Sequence, residues 1–214
     1  MATKFELAVD LRPRSLSFDD GWGQLTQLLR KLGSWSEFAA GWGLDGAEIA
    51  DDEPLVKGRV MDEIGAEGLE SGLYFAVLEN GRTARGQAVP PEQYLANYSV
   101  GDGPSAGHLL RLSFAETLAS VDLFRRCTQA ILDWQPAQHM AIQHRGYLQW
   151  GSPIDLRRRR GFGWAGWVPF EMLDDQVPEA EIVERVGPGT FLALQTAPWN
   201  SEDPDTVERT QALE

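Results

Sequence analysis

The sequence holds a single cysteine, Cys127, so no internal disulfide is possible. A reducing compartment is the natural setting for such a chain. Long apolar runs are missing too. None approaches the roughly 20 residues needed to span a bilayer. Met1 to Leu11 alternates polar and apolar residues and lacks the apolar stretch of a signal peptide. No membrane partner is expected, and the expected location is the cytoplasm. Basic residues are scarce: 19 Lys and Arg stand against 32 Asp and Glu, a formal net charge of -13. Phosphate repels a chain of this sign, which argues against nucleic acid as a direct partner and admits a basic protein.

What is present is enough to fold. The 214 residues are 43% hydrophobic, which suits one domain with a real core. The expectation is a single domain over 1–214, with room for two subdomains at about 1–100 and 107–214. Eight Trp is a high count. Trp is costly to leave in water, so several must pack inside or mark an interface.

Phe5, Leu7, Val9 and Leu11 alternate with polar neighbours and predict a strand that Pro13 ends. Ser17 then has the place of an N-cap, with Asp19 and Asp20 in the first turn. Phe18, Trp22, Leu25, Leu29 and Leu32 make one apolar helix face, closed by Gly33. Ser34 to Gly46 reads as irregular. A short helix is expected between Leu55 and Gly68, then a strand at Leu73 to Leu78 before the turn signal Asn80-Gly81. Pro90 and Pro91 break the chain ahead of a strand at Tyr94 to Tyr98, and Gly101 to Gly107 reads as a loop between two halves.

The second half opens like the first. Leu110, Leu112 and Phe114 alternate, and Ser120 precedes a helix with Val121, Phe124, Cys127, Ile131 and Leu132 on one face and Trp134 near its end. Pro136 stops it. Ser17 and Asp19 match Ser120 and Asp122 at one offset, a hint of two related strand–helix halves. Strands are then expected at Met140 to Trp150, Trp164 to Phe170, Ile182 to Val186 and Phe191 to Thr196. Gly187-Pro188-Gly189 joins the last two as a hairpin. Asp203, Pro204 and Val207 mark a final helix start. Successive strands with short turns and only occasional helices predict an α+β fold with antiparallel sheet.

Several chemical motifs are matched in letters only. Gly103 to Gly107 fits G-x-S-x-G, but a nucleophile elbow needs a strand before Ser105 and a helix after it, and here a strand follows. Gly161 to Gly166 fits G-x-G-x-x-G, but it leads into a strand rather than a helix that would receive a pyrophosphate. His139 and His144 are five apart in an expected strand, hence on opposite faces and unable to share a metal. No cofactor and no metal are expected, and no catalytic residue stands out. Arg157 to Arg160 lies near Trp150, Phe162 and Trp164, a pattern seen in single-strand binding, yet the overall charge opposes it. The alternatives to protein binding are therefore a small hydrolase using Ser105 or loop carboxylates, and a nucleic-acid module using Arg157 to Arg160.

The remaining candidates are partner-binding groups: Asp51, Asp52 and Glu53; Asp174 and Asp175; Glu202 and Asp203; and the aromatics Trp42 and Trp199. At the C-terminus Gly189-Thr190 enters an apolar strand, Phe191 to Leu194, that ends at Thr196. Trp199 follows, then Asp203-Pro204-Asp205-Thr206-Val207 into a helix. This pattern resembles the immunity protein 52 family of bacterial polymorphic toxin systems. The N-terminal order of a strand, a helix and a Trp segment (Trp35 or Trp42) leading to acidic residues near Asp52 is similar to that family too. The resemblance implies an α+β antitoxin with no catalytic residue or cofactor. It further implies a cytoplasmic protein, often tied to type VI secretion, that neutralises a nuclease toxin by binding it. A nuclease has a basic cleft, so an acidic inhibitor suits it.

Overall fold

The computed structural model describes residues 3–79, 94–101, 108–144, 161–200 and 202–213. Asn80-Gly81, Pro90-Pro91, the loop with Ser105, residues 145–150 and Arg157 to Arg160 lie outside the described residues. Among those described, four α-helices and ten strands form an α+β arrangement, as the alternation and turn signals predict. The chain divides into two compact units. Unit 1 is Met1–Thr3 with Leu11–Ser113, and unit 2 is Lys4–Asp10 with Phe114–Glu214. Strand β1 (Thr3–Leu11) thus lends most of its length to the unit built by the C-terminal half.

In unit 1, α1 (Phe18–Gly33) starts where Ser17 accepts a hydrogen bond from the Asp20 N–H at 3.1 Å, an N-cap. Trp22, Leu25, Leu28, Leu29 and Leu32 are buried on one side. A 3-10 turn (Ser36–Phe38) and two short strands, β2 (Gly43–Leu44) and β3 (Ala47–Glu48), fill the segment that reads as irregular. Helix α2 then runs Ile49–Ser71, longer than the Leu55 to Gly68 expected. The added length is a turn before Asp52 and another after Gly68, and Pro54 stands just after the first of two breaks. Asp52 leaves helical geometry (φ -149, ψ 75), and its side chain accepts from the Leu55 N–H at 3.1 Å. Pro54 therefore falls in the first turn after a cap, where its missing N–H costs nothing. A second break lies at Gly65 (φ 70). Asp52→Ala is expected to cost about 1 kcal/mol, the usual worth of an N-cap, as a lowered melting temperature.

Strands β4 (Leu73–Glu79) and β5 (Tyr94–Gly101) pair antiparallel, with Tyr74 opposite Val100 and Val77 opposite Asn97. The order within unit 1 is β3-β2-β4-β5-β6, the last being His108–Ala115. Beside β5 sits an aromatic cluster. Tyr94 meets Trp42 at 4.6 Å and Phe38 at 5.0 Å between ring centroids. The Tyr94 hydroxyl lies 2.8 Å from the Gly41 carbonyl oxygen and 3.0 Å from that of Phe38. Burial, with the Glu48 carboxylate adding to it, pushes the Tyr94 pKa from 10.0 up to about 12. The folded state therefore holds the neutral phenol more firmly than the unfolded chain does. That stabilisation is complete below pH 10.0 and is lost as pH rises through about 12. Urea melts on the alkaline limb are expected to show a steeper loss for the native protein than for Tyr94→Phe. Phenolate absorbance is expected to report one late-ionising tyrosine.

In unit 2 the order is β1-β7-β8-β10-β9, with β7 Ala137–His144, β8 Ala165–Val168, β9 Ile182–Val186 and β10 Gly189–Ala193. Helix α3 (Val121–Trp134) repeats the opening of α1: Ser120 accepts from the Leu123 N–H at 3.1 Å. β9 and β10 form the expected hairpin, with Val186 opposite Gly189. The positive φ of Gly187 (57°) followed by Pro188 meets the needs of a tight two-residue connection. Gly189 is fixed by space. A Cβ there would lie 1.9 Å from the Val168 carbonyl oxygen and 2.8 Å from the Trp167 ring. The last helix, α4 (Pro204–Leu213), begins at Pro204 as expected.

Trp164 anchors this unit. It is fully buried, 5.2 Å from Phe5 and 5.3 Å from Phe124 between ring centroids. Its indole N–H donates to the Gln195 carbonyl at 2.8 Å. Among the described residues no helix is long and apolar enough to cross a membrane.

Candidate partner-binding surface

The acidic and aromatic candidates fall into very different environments. Trp42 and Trp199 are interior residues, 3% and 4% exposed. Trp199 stacks on His144 at 5.2 Å and donates its indole N–H to the Thr210 hydroxyl at 2.9 Å. In these positions both rings support the fold, and neither presents a face to a partner.

The Asp51-Asp52-Glu53 cluster is divided in role. Asp52 caps α2. Glu53 accepts from the Trp22 indole N–H at 2.9 Å and pairs with Arg30, which ties α2 to α1. Asp51 is exposed. At the C-terminus Asp203 caps α4, accepting from the Asp205 N–H at 3.2 Å and the Thr206 hydroxyl at 2.6 Å. The Thr206 hydroxyl, with backbone N–H groups adding to it, holds the Asp203 carboxyl below the ordinary range. Glu202 beside it is exposed.

Asp174 and Asp175 stand apart. They are exposed on a 3-10 turn (Asp174–Gln176) that directly follows two exposed apolar side chains. Phe170 is 55% exposed and Leu173 is 57% exposed, the two highest values among the described large hydrophobic residues. Burying such groups against a partner would gain free energy that folding leaves unused. Residues 170–184 carry Glu171, Asp174, Asp175, Glu179, Glu181 and Glu184, and no Lys or Arg. Phe170 and Leu173 are thus interleaved in sequence with the carboxylates of Glu171, Asp174 and Asp175.

This loop is held in shape by hydrogen bonds. The Thr190 hydroxyl of β10 donates to the Phe170 carbonyl and accepts from the Met172 N–H, both at 2.9 Å. The Leu173 N–H donates to the Gln176 side chain, and the Gln176 N–H returns to the Leu173 carbonyl, each at 2.9 Å. A loop fixed in this way loses little entropy on binding. Phe170 and Leu173 are the residues that sequence reasoning missed. Phe170 reads as the end of a strand, whereas β8 stops at Val168. Pro169 was the available signal, since proline cannot donate to a ladder and so ends the pairing.

The Gly161 to Gly166 match keeps the context expected of it. The segment leads into β8 with no helix to receive a phosphate, and Gly166 lies against Phe162 and the Met140 carbonyl. His139 sits 3.8 Å from Asp10 and against Phe162, while His144 meets Phe5 and Trp199, so the two rings have different neighbours. Burial pushes the His139 pKa down. No group of three His, Cys, Asp or Glu that would hold a metal occurs among the described residues. Ser105 and Arg157 to Arg160 lie outside the described residues. In comparisons with protein-family models and with curated proteins, nothing matches this chain.

Proposed function

We propose that this protein is a cytoplasmic immunity protein. In this reading it neutralises a cognate toxin with a basic nuclease domain by binding it, and performs no catalysis of its own. The observation that supports the reading is that Phe170 and Leu173 are both exposed on a hydrogen-bonded loop that also carries the exposed Glu171, Asp174 and Asp175. Interfaces gain most of their energy from a few apolar anchors, while charged groups serve the rim. An acidic rim draws a basic partner in and orients it before the anchors dock. The formal charge of -13 works in the same direction at long range. The C-terminal resemblance to the immunity protein 52 family supplies the class of partner.

The test is co-expression with the product of the neighbouring gene, which this reading expects to be the toxin, followed by capture on the tagged protein. Growth rescue and a stoichiometric complex are expected, with an association rate that falls as salt rises. A protein that neither binds that toxin nor protects cells from it would end the proposal.

A further inference from the structure

Unit 1 contains a cleft with no part in the surface described above. Its volume is about 250 Å³, and its walls include Leu29, Arg30 and Gly33 of α1, Gly41 and Trp42 of the following loop, and Ile49 of α2. Leu29, Trp42 and Ile49 are buried and give it an apolar floor. Apolar cavities of about 150 Å³ are enough to take up benzene. The Trp42 indole N–H is buried and has no hydrogen-bond acceptor among the described residues. Tryptophan N–H groups that are buried usually find one. The edge of the ring that bears this N–H faces Gly33: a Cβ built on Gly33 would lie 3.7 Å from Cδ1 and 3.9 Å from Nε1. With only hydrogen at Gly33, no side chain from that position covers the donor.

The charges around the cleft select the ligand. Arg30 at the rim is already paired with Glu53. The Glu48 carboxylate lies against Gly41, and Asp51 and Asp52 follow Ile49 and Ala50 in sequence. Their sum is negative, which disfavours an anion. The polar group to be met is a donor, which an ammonium cannot satisfy because it has no lone pair. We propose that this cleft binds a small neutral molecule with an apolar body and one carbonyl oxygen, which accepts from Trp42 Nε1.

The test uses the full chain labelled with nitrogen-15 and benzamide as the probe. The Trp42 indole N–H resonance is identified as the one lost in Trp42→Phe. On titration it is expected to move downfield and to saturate, with a dissociation constant of about a millimolar for so small a ligand. The other indole resonances stay in place. Benzoate, the same body with a negative charge, is expected to bind at least about tenfold more weakly. Gly33→Leu places a side chain over the donor edge and is expected to abolish the shift while leaving the other indole resonances unchanged. Ala50→Phe, at an exposed position on the rim, is the second blocking variant should Gly33→Leu fail to fold. A Trp42 resonance that does not move, that moves without saturating, or that moves equally in a folded blocking variant overturns the site. Equal binding of benzoate overturns the ligand class.

Discussion

Replacing Trp164 by alanine is expected to remove about 3–5 kcal/mol of stability, the usual cost of deleting a buried large aromatic. Domains hold only about 5–15 kcal/mol in total, so this one change removes a large share of the stability. Two losses coincide at this residue. Its ring is fully buried and packs on both Phe5 and Phe124, so truncation leaves a void that neighbours from two separate elements must fill. Its indole N–H satisfies the Gln195 carbonyl. Its backbone bonds, the N–H donating to the Ile142 carbonyl and the carbonyl accepting from the Leu194 N–H, stay in place in the variant. Trp164→Phe keeps most of the apolar volume and loses the indole bond, so its expected cost is smaller, about 1–3 kcal/mol. Urea titrations of the two variants separate the contributions. An alanine variant within about 1 kcal/mol of the native protein would show that this ring does not organise the core of unit 2.

The second large effect is expected in binding rather than in folding. Phe170→Ala with Leu173→Ala removes two side chains that are more than half exposed, so the melting temperature should change little. Affinity for the proposed toxin partner should fall by between about 30-fold and about 700-fold, since interface anchors commonly cost about 2 kcal/mol each when truncated and do not add fully. Asp174→Asn with Asp175→Asn should act differently. It should slow association and flatten its salt dependence while leaving dissociation nearly unchanged, because exposed rim charges steer more than they hold. Surface-based kinetics on the folded variants would distinguish the two. Native affinity in the Phe170/Leu173 double variant would remove this loop from the interface. Substituting Trp42 or Trp199 is a poor probe of binding, because either change disturbs the interior first.

Local chemistry was legible wherever a short stretch of sequence sets the geometry. Ser17 and Ser120 cap helices because a hydroxyl three residues ahead of an orphan N–H can reach it without help from the rest of the fold. The apolar face of α1, the Gly187-Pro188 hairpin and the Pro204 helix start are of the same kind. The sequence by itself also determined the net charge, the lone cysteine and the α+β pattern. Helix α2 marks where local reading fails. Its buried residues Ile49, Val56, Val60 and Ile64 are few and diluted by acids and glycines, so the turns before Asp52 and after Gly68 have no apolar period to announce them.

Only the tertiary structure decided which side chains of the same type face inward. Trp42 and Trp199 look as available as Phe170 and Leu173 when the chain is a string, yet the first two are enclosed and the last two are not. The same holds for Glu53, drawn to Trp22 and Arg30 from far along the chain, against Asp174 and Asp175 left in water. Strand β1 likewise joins residues more than a hundred positions away. Capping and periodicity act over three or four residues, so a sequence displays them directly. Burial depends on what distant segments bring to the same place. The Phe170 loop is exposed because Pro169 ends a strand and Thr190 of β10 holds the backbone of Phe170 and Met172.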